Sequence, residues 1–195
     1  LKFKKGLNRF TLHRKIFCIG HNKTGTTSLQ TLLSQAGYLC APQRVGEALL
    51  PAWYNDDFAS IIQWVQSSKS QFFQDVPFSY PETWRHLSHH FPKALFIHTV
   101  RDSDEVWYQS RLRFDKKILG TDSPQWSDLE QFQCGGIPQG YLAKFRKEIM
   151  GCVSHPYEES TLKSFYNDYN ANIENHFSQG QFNYLKINLS DPNAL

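Results

Sequence analysis

The stretch 15-KIFCIGHNKTGTTSLQTLLSQA-36 decides the fold, because it contains a strand, a turn with two glycines and a helix in immediate succession. Residues 15–20 form an apolar run that ends in Gly20 and is typical of a short buried strand. Over residues 26–36 the apolar side chains follow helical spacing, at Leu29, Leu32, Leu33 and Ala36. Gly37 then supplies a C-terminal stop. The sequence therefore predicts a strand, a loop over 20–28 and a helix.

Strands and helices are predicted to alternate along the rest of the chain. The strands are predicted over residues 38–41, 72–76, 94–100 and 182–188. The helices are predicted over 57–65, from Pro81 to near Pro92, and over 103–114, 140–150 and 158–177, with a long, partly mobile connection over 116–140. This alternation predicts an α/β fold, a three-layer sandwich with a central, mostly parallel sheet. At 195 residues the chain suits one buried domain and not two, so 1–195 is predicted to be a single domain.

The bulk composition narrows the class of protein. Hydrophobic residues make up 40% of the chain and charged residues 20%, and the net charge of +3 is smaller than a nucleic-acid-binding module usually carries. No apolar run approaches the ~20 residues that a membrane span needs. The four cysteines lack CxxC spacing, which argues against a zinc site. Composition leaves open the oligomeric state and the pairing of Cys134 with Cys152.

The loop over residues 20–28 has the features of an anion site. A glycine-containing turn at a helix N-terminus offers unpaired backbone N–H groups and the positive end of the helix dipole, both of which favour phosphate. Thr26, Thr27 and Ser28 add hydroxyl groups in the first turn, and Lys23 adds a positive charge. The context of a strand before and a helix after the loop favours phosphate binding over a simple helix cap.

The loop differs from the nucleotide-triphosphate P-loop in one decisive position. Gly20 and Gly25 have the spacing of G-x-x-x-x-G-K-[ST], but Thr26 stands where the lysine belongs and Lys23 lies inside the loop. No predicted strand ends in an acidic residue suited to anchor magnesium. The sequence therefore predicts a phosphate site that requires no metal, and a small-molecule kinase with an altered P-loop is the alternative.

The segment from Lys23 to Ser28 closely resembles the 5′-phosphosulfate loop, [KR]-[ST]-G-T-[ST], of the sulfotransferases that use 3′-phosphoadenosine 5′-phosphosulfate (PAPS). A second resemblance is the 3′-phosphate element of that family, a strand followed by arginine and a helix that carries serine, here Arg101 and Ser110. The family usually has its serine eight residues after the arginine, where this chain has Gln109. Ser110, Gln109 and Ser103 are therefore all candidates for that role.

The resemblance extends over roughly residues 15–190 and implies the P-loop-like sulfotransferase fold, with a further helix expected after the last strand. It implies PAPS as cofactor, PAP as product and a small-molecule or carbohydrate acceptor. The loop pattern predicts that no metal is required, and the net charge of +3 argues against a nucleic-acid partner. Because members occur in the bacterial cytoplasm and in the Golgi lumen, the compartment stays open. The residues that it assigns to the cofactor are Asn22, Lys23, Thr24, Gly25, Thr26, Thr27, Ser28, Arg101 and Ser110.

The resemblance also implies two catalytic residues. Lys23 is expected to stabilise the leaving oxygen, and Asp75 occupies the position where family members carry a histidine or an acidic general base. A histidine, such as His21 in the loop or His98 in the predicted strand, is the alternative base. The remaining alternative is a protein of the same fold that binds PAP without turnover. It stays open because the serine is shifted by one residue and because Asp75 stands where the cytosolic members of the family carry histidine.

Overall fold

A computed structural model describes residues 15–191 of the chain. Four parallel strands form one sheet in the order β2-β1-β3-β4. They are β1 (Ile16–Cys18), β2 (Phe72–Phe73), β3 (Leu95–Val100) and β4 (Asn183–Asn188). The predicted parallel sheet is thus confirmed, although residues 38–41 contribute only an isolated bridge between Cys40 and Phe72.

Helices connect the strands and flank the sheet. They are α1 (Thr26–Gln35), α2 (Gln43–Glu47), α3 (Leu50–Tyr54), α4 (Phe58–Ser67), α5 (Thr83–His90), α6 (Asp104–Leu119), α7 (Trp126–Gln131), α8 (Tyr141–Lys144) and α9 (Glu159–Ser178). A π-helical turn (Phe145–Ile149) continues α8. The predicted α/β architecture is therefore the observed one.

The two faces of β1 point into two separate apolar clusters, because successive strand side chains alternate. Phe17 and Ile19 belong to the larger cluster, which is rich in aromatic rings and includes residues of α4, α5 and α9. Ile16 and Cys18 belong to a smaller cluster that includes Leu29 of α1. Both faces of the sheet are thereby covered, and the loop after β1 is held from two sides.

Three predicted details of the fold are wrong. Residues 116–140 are not one long connection, since α6 continues to Leu119 and α7 follows. The predicted strand over 72–76 stops at Phe73, because Asp75 adopts a left-handed backbone with φ of 63°. Of the predicted apolar face of α1, Leu29 is buried but Leu32 is 41% exposed. The helix packs against the smaller cluster through the buried Leu29 and the partly buried Leu33.

The cysteines form no disulfide within the part of the chain that the structure describes. All four cysteines are free thiols in the structure, Cys134 being exposed and Cys152 buried. None of the helices between residues 15 and 191 combines the length and the apolar character of a membrane span.

Candidate active site

The loop between β1 and α1 is fixed against the end of β3. A Cβ atom on Gly20 would lie 2.2 to 2.6 Å from atoms of Thr99, so glycine alone allows this approach. Thr24 is fully buried, and its hydroxyl donates to the His21 carbonyl and pairs with the Thr99 hydroxyl, both at 2.6 Å. The Thr24 side chain, assigned to the cofactor by resemblance, is therefore engaged in holding the loop on the sheet.

The first turn of α1 presents free backbone donors. Its N-cap is Gly25, with φ of 96°, and no side chain among residues 15–191 caps the helix. The Leu29 N–H donates to the Gly25 carbonyl, which leaves the N–H groups of Thr26, Thr27 and Ser28 beyond the reach of the helical ladder. Thr26 is buried, while Thr27 and Ser28 are exposed. This end of the helix has the geometry and the dipole of an anion site.

Arg101 follows β3 and contacts the loop directly. Its Nε donates to the Lys23 carbonyl at 2.7 Å, and its backbone N–H donates to the Tyr166 hydroxyl at 3.0 Å. Its Nη1 lies 3.4 Å from the Ser190 hydroxyl. The guanidinium is thus held at the end of the sheet beside the loop between β1 and α1.

Three residues are candidates for the serine that the family uses at the 3′-phosphate, and their surroundings differ. Ser103 is the N-cap of α6 and accepts from the Val106 N–H at 3.2 Å. Gln109 donates to Glu105 at 2.9 Å on the exposed side of the same helix. Ser110 lines the cleft that also contains Arg101. Ser110 is therefore the candidate whose side chain lies with the loop.

Asp75 lies directly after β2 and faces the loop. Oδ1 of Asp75 accepts a hydrogen bond from the side-chain amide of Asn22 and another, at 2.8 Å, from the Val76 N–H. Burial raises the pKa of the Asp75 carboxyl, and these two hydrogen bonds offset only part of the effect. The result is a fixed carboxylate that is more basic than an ordinary aspartate.

One cleft of about 470 Å³ brings these residues together. It is lined by every predicted site residue except Thr24, namely Asn22, Lys23, Gly25, Thr26, Thr27, Ser28, Asp75, Arg101 and Ser110. Apolar and aromatic side chains also line the cleft, namely Val76, Tyr80, Phe114, Ile118, Phe132, Ile137 and Leu142. A larger open groove of about 730 Å³ borders α9 but contains none of the loop residues. The convergence of the loop, Arg101 and Asp75 makes the smaller cleft the candidate active site.

Lys23 has the surroundings of a functional cation. Its backbone is left-handed, with φ of 75°, and its Nζ lies 3.6 Å from the centre of the Phe114 ring. Partial burial and then the nearby positive charge of Arg111 lower the pKa of Lys23. A lysine so placed is held over an aromatic ring at the edge of the loop.

Two histidines that were alternatives for the base lie away from the cleft. His21 is fully buried among aromatic rings, including Trp107 and Tyr169, and burial holds its pKa well below the usual value. His98 pairs with the Tyr184 hydroxyl and with Asn170, each at 2.8 Å, and burial lowers its pKa to about 4. Neither histidine lines the cleft, so neither is placed to act as a base there.

Sequence reasoning missed three charged residues that line the cleft, Arg111, Asp115 and Glu47. Glu47 accepts from the Gly136 N–H at 2.7 Å and from Gln43 at 3.0 Å, which fixes the segment after α7 at the rim. Arg111 and Asp115 form an i, i+4 ion pair on α6 at 3.1 Å. Arg111 directly follows Ser110, and Asp115 lies four residues further on. This i, i+4 spacing is the signal in the sequence that could have indicated the ion pair.

No group of three or more metal-ligating side chains forms within residues 15–191. Comparison with known proteins identifies the family of the chain. Residues 15–191 match a family model described as a sulfotransferase domain. No curated protein and no solved structure gave a significant match. The matched range includes all the residues that line the cleft.

Proposed function

This chain belongs to the sulfotransferase domain family, and on that premise we propose that it moves a sulfuryl group from PAPS to a hydroxyl or amine on a small-molecule or carbohydrate acceptor. Sulfuryl transfer is the reaction of the family; the donor and the residue roles are what the proposal adds. One observation carries it: the uncapped N-terminus of α1, Lys23, Arg101 and Asp75 all line one cleft.

The loop is suited to the 5′ end of the donor. The free N–H groups of Thr26, Thr27 and Ser28 would hold anionic oxygens together with Lys23. Arg101 and Ser110 line the same cleft and would hold the 3′-phosphate, because guanidinium presents a fixed fork of donors to a phosphate dianion. The residues present therefore fit both charged ends of PAPS.

Asp75 and Lys23 would carry the proton and charge changes of the transfer. Bound PAPS would supply the activated sulfuryl group. Asp75, more basic than an ordinary aspartate, would accept the proton of the acceptor hydroxyl or amine. Lys23 would stabilise the negative charge that develops on the leaving oxygen, and stabilisation of developing charge is commonly the largest single contribution to enzyme catalysis.

Transfer from PAPS carrying radioactive sulfur tests this proposal directly. Wild-type protein is incubated with a panel of phenols, alcohols, amines and sugars, with Lys23→Met as the matched inactive control. Labelled acceptor that depends on Lys23 supports the proposal. PAP binding without any labelled acceptor would favour a non-catalytic PAP-binding protein, and phosphoryl transfer from ATP would favour a kinase.

A further inference from the structure

A buried cluster of charged side chains lies beside the cleft, outside the proposed donor site. Arg111, Arg146 and Tyr157 all donate to one oxygen of Asp115, Oδ2, at 3.1, 2.5 and 2.9 Å. Asp115 and Arg146 are fully buried, and Arg111 is 8% exposed. The other oxygen, Oδ1, has no hydrogen-bond partner among residues 15–191. Two guanidinium groups therefore share a single carboxylate.

This cluster carries an excess positive charge at the wall of the cleft. Asp115 balances only one of the two arginine charges, and a buried charge that is not balanced is costly. An anion in the cleft would therefore balance the second charge. Arg111 lines the cleft and donates to Asp115 through Nε. Its two Nη groups have no protein partner within the part of the chain that the structure describes. They are the donors that remain for an anionic ligand.

Arg111 also lies close to the two residues to which we assign the chemistry. It follows Ser110 on α6, and Phe114, one turn further on, contacts Lys23. The charge of Arg111 contributes to the lowered pKa of Lys23 and acts to lower that of Asp75. The guanidinium of Arg111 therefore lines the cleft within electrostatic reach of both residues.

We propose that Arg111 is a further catalytic residue, which binds the oxygens of the sulfuryl group during transfer; this rests on the proposed function. In that step the acceptor oxygen or nitrogen forms a bond to sulfur while the bond from sulfur to the phosphate oxygen breaks. The electron pair of the broken bond stays on that phosphate oxygen, and the acceptor proton passes to Asp75. Arg111 touches the transferred group, and Asp115, Arg146 and Tyr157 are positioning residues that orient it.

An arginine suits this role better than a lysine. Its planar fork can contact two sulfuryl oxygens at once while Nε stays bound to Asp115. Because Asp115 keeps Arg146 and Tyr157 as partners, loss of Arg111 leaves the buried carboxylate paired. The Arg111→Gln variant is therefore expected to fold.

The test compares the affinities of PAPS and PAP, since PAP lacks the sulfuryl group. Both are titrated by calorimetry without acceptor, against wild type, Arg111→Gln and the control Arg113→Gln, which alters an exposed arginine on the same helix. Arg111→Gln is expected to lower the ratio of PAPS to PAP affinity by about tenfold, the loss of one charge-assisted contact. PAP affinity is expected to stay within about twofold of wild type, and Arg113→Gln to change neither value.

Three results would overturn the inference. Equal weakening of PAPS and PAP would assign Arg111 to the nucleotide. An unchanged ratio with a raised KM for the acceptor would assign it to an anionic acceptor, and an unchanged ratio with full turnover would make it a bystander. Should Arg111→Gln fail to fold, Arg111→Lys, which keeps a charge beside Asp115 but lacks the fork, is read in the same way. Failure of wild type to bind PAP would instead refute the proposed function.

Discussion

The side-chain amide of Asn22 donates a hydrogen bond to Oδ1 of Asp75 and so ties the loop between β1 and α1 to the segment after β2. Asn22 follows β1 and Asp75 follows β2, two neighbouring strands whose carboxyl ends lie at the same edge of the sheet. The contact fixes the carboxylate while burial raises its pKa. The Asn22 contact thus orients the carboxylate, and burial outweighs the lowering effect of that hydrogen bond on the pKa of Asp75.

Asp75→Asn should separate binding from chemistry. The amide keeps an acceptor oxygen for Asn22 and Val76 but cannot take a proton. We expect turnover to fall by about a hundredfold or more, the usual contribution of a general base, while PAP affinity stays nearly unchanged. Transfer rates and PAP titration measure the two effects. Full activity of the variant at neutral pH would move the base role to another residue.

The raised pKa of Asp75 also predicts a dependence of stability on pH. Because its folded pKa lies above the unfolded value, the group favours folding at low pH, and this contribution is lost as pH rises through the folded pKa. Asp75→Asn should therefore be at least as stable as wild type at neutral pH, with its advantage shrinking in acid. Thermal unfolding at several pH values measures this. A variant clearly less stable at neutral pH would show that the charged carboxylate stabilises the fold.

Lys23→Met should lower turnover far more than PAP affinity. Methionine can keep contact with the Phe114 ring, and the Lys23 carbonyl still accepts from Arg101. The lost charge matters most when the leaving oxygen develops its own charge, so we expect turnover to fall by about a hundredfold. Single-turnover rates and PAP titration separate the two. Equal losses in both would assign Lys23 to ground-state binding.

Arg101→Ala should mainly weaken PAP binding, by about tenfold or more, because it removes a charge-assisted contact with phosphate. Arg113→Ala, at an exposed position of α6, is the matched control and should leave the affinity unchanged. Unaltered PAP affinity in Arg101→Ala would remove this residue from the site.

The serines of α6 should respond differently to alanine. Ser103→Ala removes the N-cap of the helix and should lower the free energy of unfolding by about 1 kcal/mol, with little effect on PAP affinity. Ser110→Ala should weaken PAP binding with little effect on stability, since Ser110 lines the cleft. Denaturant unfolding and PAP titration, applied to both variants, distinguish a cap from a ligand. The reverse pattern would exchange their roles.

Local patterns allowed most of the fold to be predicted. The strand, loop and helix around Gly20 and Gly25 and the alternation that follows were enough to predict a parallel sheet with covered faces. The length of α6 was underestimated because its last turn begins with Asp115, Lys116 and Lys117, three charged residues in succession that interrupt the apolar pattern after residue 114. Single-sequence periodicity carries no signal for such turns.

The site was predictable where it depends on one segment and unpredictable where distant segments meet. The loop residues and Arg101 follow strand ends, so their meeting at one edge was expected from a parallel sheet. Asp115 and Arg146 meet only through packing of α6 against the π-helical turn, which no local pattern encodes. The shifted Ser110 could be distinguished from Ser103 and Gln109 only by knowing which side of α6 faces the cleft.

Calorimetric titration with PAP and with ATP, each with and without magnesium, tests the central claim most directly. We expect PAP to bind with micromolar affinity that does not respond to magnesium, and ATP to bind weakly under both conditions. Magnesium-dependent ATP binding with no response to PAP would contradict a PAPS-dependent site and make the kinase alternative the better account of the cleft.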